Sequence, residues 1–394
     1  MLFSATPERM KPDPNPRRVA VTSLVTIAFA APLASAQFYG DPPDENHPWA
    51  VHDKNRPQPP RVTPGETPGA PPSDAVVLFD GTEESFKANW VHDNPKRKTD
   101  WKVEDGNLIS VKGAGYIRSK AEFGDCQLHV EWAAPSKVEG SSQGRGNSGI
   151  FVGGGATEVQ VLDNFDNPTY ADGFAGSVYG VMPPAANPLN GPGKWQTYDI
   201  IFRRPIVKDG KLIDPGSQTV LINGVVVQAD TPLEGGGGHK RRSNELRAFP
   251  DKGPMKIQDH GNPVRFRNIW YRELRKRPVD GGTDGKLSPE AAAAKRAEIA
   301  ANIRDDAAKL NGKDKLLRLM ESLTYAQDAA ALAEAESLGE QWYESVMAAP
   351  EGKKAEVLQV NNALKYLVKH KFLPAGHDGV IAVRELIQDQ GWDK

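Results

Sequence analysis

Apolar residues follow three different spacings along this chain. In the first stretch they form one block. Val19 to Ala31 is apolar apart from a few hydroxyl groups, Arg17 and Arg18 precede it, and Ala34-Ser35-Ala36 follows. The block is shorter than the roughly 20 residues that cross a bilayer. A basic end, an apolar stretch and a small-residue site mark residues 1–36 as an export signal, with Gln37 as the first mature residue. The Arg17-Arg18 pair leaves both the general and the twin-arginine route open. Residues 37–73 are mostly Pro, Asp, Asn and Gly, with too little apolar surface to offset the chain entropy of folding. They read as a disordered, Pro-rich tether, with Trp49 as a local docking point.

From 74 to 277 the period is close to two. Leu128, Val130 and Trp132 alternate with Gln127, His129 and Glu131, as in a half-buried strand. Apolar runs at 76–79, 101–103 and 108–111 are set off by the turn signals Asp80-Gly81 and Asp105-Gly106. Two further runs flank Asn223-Gly224, the dipeptide that fits a type I′ hairpin turn. Residues 257–259 and 264–274 supply more strands. Many short strands with turns between them predict an antiparallel sandwich or barrel.

A Gly-rich linker at 278–285 ends this pattern. Ser288-Pro289 is a helix cap with proline at the first helical position. Ile299, Ile303 and Leu310, then Leu316, Met320 and Leu323, then Ala335, Leu338, Trp342 and Val346, then Val357, Val360, Leu364 and Leu367, all recur at helical spacing. Residues 286–394 are thus an all-α region of four or five helices. Their apolar stripes predict a core, and no catalytic constellation stands out among them.

Composition narrows the function. The 394-residue chain carries a formal net charge of −2, which gives no electrostatic reason to expect nucleic acid or an anionic membrane as partner. No segment after the signal predicts a membrane anchor. Cys126 is the single cysteine, so no intrachain disulfide forms, and on a strand it reads as a small core residue. The histidines show no metal-ligand spacing.

One segment stands out: Gly144-Arg145-Gly146-Asn147-Ser148-Gly149-Ile150-Phe151-Val152, followed by Glu158-Val159-Gln160-Val161-Leu162-Asp163-Asn164. Strand alternation sets Glu158 and Gln160 on one face and Val159 and Val161 on the other. Gln258 and His260 repeat that arrangement about 100 residues later. If the two strands share a sheet, these residues form a polar floor for sugar hydroxyls; an ordinary wetted sheet face is the plainer reading.

In this order, Leu78-Phe79-Asp80-Gly81, Trp101-Lys102-Val103-Glu104-Asp105-Gly106, the two segments just quoted, Val178-Tyr179-Gly180, Trp195-Gln196-Thr197-Tyr198, Ile222-Asn223-Gly224, Ile257-Gln258-Asp259-His260-Gly261 and Val264-Arg265-Phe266-Arg267-Asn268-Ile269 resemble the 3-keto-disaccharide hydrolase family. The resemblance covers about 75–275. It implies an all-β jelly-roll sandwich of the concanavalin A-like kind over 74–277, with the helical region outside it. The Gly235–Gly238 loop with His239-Lys240-Arg241-Arg242 resembles an insertion bordering the cleft. Glucanases of that fold carry Glu-x-Asp-x-x-Glu; here the spacing holds Glu158, Gln160 and Asp163, which disfavours the two-carboxylate pair of a retaining hydrolase.

The resemblance implies cleavage of 3-keto glycosides. The carbonyl acidifies the C2 proton, a base removes it, the C1 substituent leaves, and water adds back. His260 is the expected base and Glu158 its orienting group or the acid. Asn147, Gln160 and Gln258 are expected to bind sugar oxygens. Tyr179 and Trp195 are candidates to stack on a ring, and Asp163 and Asn164 either bind substrate or cap a bulge. No cofactor is expected; a structural Ca²⁺ is compatible with the fold. The expected partner is a carbohydrate in the periplasm or outside the cell, with a protein partner for the helical tail left open. A lectin-like binding module, a conventional glycoside hydrolase and a scaffold acting through its helical tail are the alternatives.

Overall fold

A computed structural model describes residues 35–393 except 243, 245 and 248. Two compact units result: one of 39–300, the other of 301–394 with the chain up to Phe38. The predicted signal, apart from its last two residues, lies outside the described residues. Among the described residues no helix is long and apolar enough to cross a membrane.

The first unit is a β-sandwich. Its strands are β1 (Val76–Phe79), β2 (Trp90–His92), β3 (Lys102–Glu104), β4 (Asn107–Ile109), β5 (Ile117–Ser119), β6 (Cys126–Ala133), β7 (Ser148–Val152) and β8 (Thr157–Val161). There follow β9 (Gln196–Arg203), β10 (Ile206–Lys208), β11 (Lys211–Asp214), β12 (Ser217–Ile222), β13 (Val225–Pro232), β14 (Gly237–Gly238), β15 (Arg241–Arg242), β16 (Lys256–Ile257) and β17 (Arg265–Glu273). The larger sheet runs β13-β12-β9-β6-β17-β4-β3, with β1 also on β17; the smaller runs β2-β5-β16-β7-β8. Two small hairpins, β10-β11 and β14-β15, stand apart. Every pairing is antiparallel.

Alternation builds the core. Leu128, Val130 and Trp132 of β6 and Tyr198, Ile200 and Phe202 of β9 join Ile117, Ile150, Val159, Val161 and Ile257 of the smaller sheet in one cluster. The Tyr198 hydroxyl donates to the carbonyl of Gln160 at 2.8 Å and so ties the layers. Cys126 is fully buried, and burial pushes its thiol well above the ordinary range. The hairpin signals also hold. Asn223 and Gly224 have φ of 51° and 79°, and Asp105 and Gly106 have 49° and 76°, the positive values a type I′ turn requires.

Two segments differ from expectation. The tether at 37–73 contains no helix or strand but is pinned rather than loose. Asn46 Nδ2 donates to the Leu287 carbonyl, Trp49 Nε1 to that of Thr283, and Asn268 and Trp270 both donate to that of Gly69. Polar segments that cannot form a core can still be fixed by hydrogen bonds to one. The linker is likewise held: Arg204 donates to Asp280 at 2.7 Å and Lys208 to the Val279 carbonyl at 2.6 Å. A short helix, α1 (Glu83–Asn89), was not predicted; Thr82 caps it by accepting from the Ser85 amide.

The tail forms five helices, as expected: α2 (Pro289–Ala307), α3 (Gly312–Ser322), α4 (Ala329–Ala348), α5 (Lys354–Lys369) and α6 (Asp378–Asp389). The boundary between the units falls inside α2, later than the predicted 286. Within the helical unit, the predicted stripes of α3, α4 and α5 make one core with Val383, Leu386 and Ile387 of α6.

Candidate active site

Register decides which side chains share the open face of the smaller sheet. In antiparallel strands, residues directly opposite point to the same side. Phe151 lies opposite Glu158 and Lys256, and Lys256 opposite Arg118. The next row carries Gly149 opposite Gln160, with the Gln258 amide donating to the Gly149 carbonyl at 3.0 Å. Counting on past Ile257↔Ile117 brings Tyr116 beside Gln258. Two rows therefore cross the sheet above the apolar layer of Ile117, Ile150, Val159 and Ile257, one with Phe151 between Glu158 and Lys256, the other with Gln160, Gln258 and Tyr116.

Glu158 is the chemical centre of this face. A Cβ at Gly149 would lie 2.1 Å from Glu158 Oε1, so the carboxyl rests in space that only glycine leaves open. No salt bridge to Glu158 occurs among the described residues. Burial alone pushes its carboxyl up to about 8. Gln160, with its amide nitrogen toward the strand pair, donates to the Ser148 carbonyl at 3.0 Å and to Glu158 Oε1 at 3.2 Å. Turned the other way, it donates to Gln143 Oε1 at 2.9 Å.

Gln258 donates through Nε2 to the Tyr116 hydroxyl at 2.5 Å. That leaves the Tyr116 proton free for another acceptor. Burial, partly offset by the Gln258 bond and reinforced by the Glu158 charge, raises the Tyr116 hydroxyl above its ordinary value and keeps it a donor. Gln258 Oε1 and Asn147 Oδ1 are buried with no hydrogen-bond partner. Unpaired buried acceptors are costly, and two of them on one face are places for ligand hydroxyls. Asn147 is held by donating to the Gln143 carbonyl at 2.7 Å.

On the β8 edge, the Tyr179 amide donates to the Glu158 carbonyl at 3.0 Å. The Tyr179 hydroxyl lies 2.7 Å from that of Tyr170 and 3.4 Å from His239 Nδ1. It is therefore bonded through its hydroxyl at the margin, beside Glu158.

The remaining predicted residues sit elsewhere. His260 has the strand parity of Gln258 but is exposed at the far end of the face. β16 ends at Ile257, so His260 lies in the loop beyond the strand and not in the row that carries Glu158. Asp163 is buried and accepts from Arg145 Nε at 2.8 Å and from the Phe165 amide at 3.2 Å, so it shapes the loop after β8. Asn164 is buried and bonds the Asn167 carbonyl and the Ala175 amide, which uses both ends of its side-chain amide. Trp195 is not on this face. It packs against the outer side of the larger sheet, 4.1 Å from the Arg267 guanidinium and 5.3 Å from that of Arg265. Its position just before β9 gave no indication of which sheet β9 would join.

Sequence reasoning passed over Tyr116, Gln143 and Tyr170, and gave Gly149 no role within the segment that it singled out. Tyr116 follows Gly113-Ala114-Gly115, a glycine-rich turn into β5, which is the one local signal that marked it. Among the described residues no group of three or more His, Cys, Asp or Glu side chains is placed to hold a metal ion.

Residues 74–272 match the 3-keto-alpha-glucoside-1,2-lyase-like domain. The chain belongs to that family. The domain is thus a carbohydrate-active one. A candidate glycosyl hydrolase from Parabacteroides distasonis ATCC 8503 is 42% identical, with a TM-score of 0.51, over 56% of this chain and 93% of its own. A second candidate glycosyl hydrolase from the same organism is 21% identical, with a TM-score of 0.36, over 51% and 94%. No curated protein matches the chain.

Proposed function

We propose that the sandwich cleaves the glycosidic bond of 3-keto glycosides by elimination and hydration. The carrying observation is Glu158: a carboxyl set by burial to about 8, without a cation, on a polar face that also offers a hydroxyl donor and two unpaired acceptors. A group whose pKa lies near the working pH is suited to both taking and giving a proton. The glycosyl hydrolase description of the 42%-identical structure supports a glycosidic bond as the target.

In this reading the Glu158 carboxylate takes the C2 proton of the keto sugar. The electron pair of that C–H bond passes to C2–C3, and the C3 oxygen becomes an enolate, to which Tyr116 donates. Collapse of the enolate restores the C3 carbonyl, forms a C1–C2 double bond and expels the C1 oxygen, which takes the proton that Glu158 removed from C2. Water then adds its hydroxyl to C1 and a proton to C2, so the net reaction is hydrolysis. Gln258 Oε1 and Asn147 Oδ1 accept from sugar hydroxyls, and Gln160 orients Glu158. The exposed His260 serves the far end of a two-ring substrate rather than the C2 proton. The chemistry calls on no cofactor. The two antiparallel sheets fit the jelly-roll reading, and the apolar block at 19–31 supports export to the periplasm or medium.

The test is sugar release from a 3-keto disaccharide and from its unoxidised parent. Release from the keto substrate with little from the parent is expected. Equal release from both would favour a conventional glycosidase, and binding without turnover would favour a lectin.

A further inference from the structure

The hairpin of β14 and β15 and its turn carry His239, Lys240, Arg241 and Arg242 in succession. None of the last three forms a salt bridge among the described residues, and all four side chains are exposed. The hairpin is nevertheless seated firmly. A Cβ at Gly237 would lie 1.9 Å from the Tyr179 carbonyl oxygen, and one at Gly180 would lie 3.1 Å from that of Gly238. The two backbones meet at a distance that only glycine permits. The Gly180 amide also donates to the Asp172 carbonyl at 3.0 Å.

This seating places the basic run beside Tyr170 and Tyr179, around an open cavity of about 370 Å³, within the size range of small-molecule sites. Its wall contains the four basic positions, two tyrosine hydroxyls and one acid, Asp172. Tyr179 is also bonded by its amide to the Glu158 carbonyl, so the cavity lies along the edge of β8, the strand that carries Glu158. The chain as a whole is slightly acidic, which makes this local excess of positive charge a feature of the site.

Building on the proposed reaction, we infer that this cavity is a subsite for an anionic group, a carboxylate or sulfate ester, on the sugar adjoining the cleaved bond. Arg side chains pair with such groups through two parallel N–H donors, and the Tyr170–Tyr179 hydroxyl pair, which spends one proton on its own bond, has one left to donate alongside. The substrate class is then an acidic glycoside.

The experiment titrates the full chain with three unoxidised disaccharides: a neutral one, its counterpart with a C6 carboxylate on the leaving sugar, and its counterpart with a C6 sulfate. At low salt one or both acidic forms should bind about tenfold tighter than the neutral form. That preference should fade as salt rises. Arg241→Gln with Arg242→Gln should abolish the preference and leave affinity for the neutral disaccharide unchanged. The stronger of the two acidic ligands identifies the group. Equal affinity for all three, or an equal loss for acidic and neutral ligands in the double variant, would overturn the inference. Turnover of the 3-keto forms is read separately. Failure to cleave would refute the proposed reaction while the binding comparison still decides the subsite.

Discussion

Gly149→Ala probes the architecture of the site most sharply. The added methyl would meet Glu158 Oε1 at 2.1 Å, its carboxyl carbon at 2.9 Å and Phe151 at 3.0 Å. Ordinary contact begins near 3.4 Å, so the carboxyl oxygen must move by about 1.3 Å, the difference between 3.4 and 2.1. The obstacle is the end of a flexible side chain and Gly149 does not have a positive φ, so the strand can keep its conformation. Alanine also reduces the freedom of the unfolded chain, by about 0.4–1 kcal/mol. Stability should therefore change by less than about 1 kcal/mol. A displacement of about 1 Å in a reacting group costs on the order of 10²-fold in rate. The assay pairs urea unfolding with initial rates of sugar release from a 3-keto disaccharide. Near-native turnover in a folded Gly149→Ala variant would refute the placement of Glu158 as the proton-transfer group. Loss of folding would refute the claim that the carboxyl, with a few tenths of an ångström from the Phe151 ring, can yield.

Glu158→Gln should remove most turnover and reveal the cost of burial. The native carboxyl keeps its proton up to about pH 8, whereas the unfolded chain releases it near 4.5. Between those values the native state binds more protons, so wild-type stability falls as pH rises. The non-titrating variant should gain on wild type across pH 5–8, by at most about 1.4 kcal/mol per unit; denaturant midpoints measured across that range check this, and a constant difference would contradict it. Tyr116→Phe should lower turnover about 10–10²-fold and cost about 1 kcal/mol, because Gln258 Nε2 loses its acceptor. His260→Ala should raise KM more than it lowers kcat; a 10²–10⁴-fold fall in kcat would instead make His260 the base. Asp163→Ala should cost about 2–4 kcal/mol in chemical denaturation by stranding Arg145.

The parts of the fold that were legible depend on local chemistry. Asn223-Gly224 and Asp105-Gly106 can adopt the turn they signal whatever surrounds them. The stripes of α3 to α5 have one helical face each to bury. The alternation at 127–132 fixed which residues of β6 enter the core, and the alternation at 158–161 did the same for β8. What alternation does not carry is sheet membership. Glu158, Gln160 and Gln258 share a face because β7 lies between β8 and β16, whereas Trp195 has an equally suitable ring but precedes a strand of the other sheet. Where a strand stops is also hidden: His260 repeats the spacing of Gln258 but falls beyond the end of β16. Asn164 resembles a ligand in composition, yet loop closure uses its whole amide. Tyr116 becomes significant only through Gln258, 142 residues away.

The central claim is that the bond breaks by loss of the C2 proton. Cleaving a 3-keto disaccharide in D₂O, with a no-enzyme control for background exchange, and reading the released keto sugar by NMR tests this directly. Elimination and hydration predict deuterium at C2 of the released sugar, formed at the rate of cleavage and lost with Glu158→Gln. Release of keto sugar that still carries hydrogen at C2 would show direct hydrolysis and contradict the account.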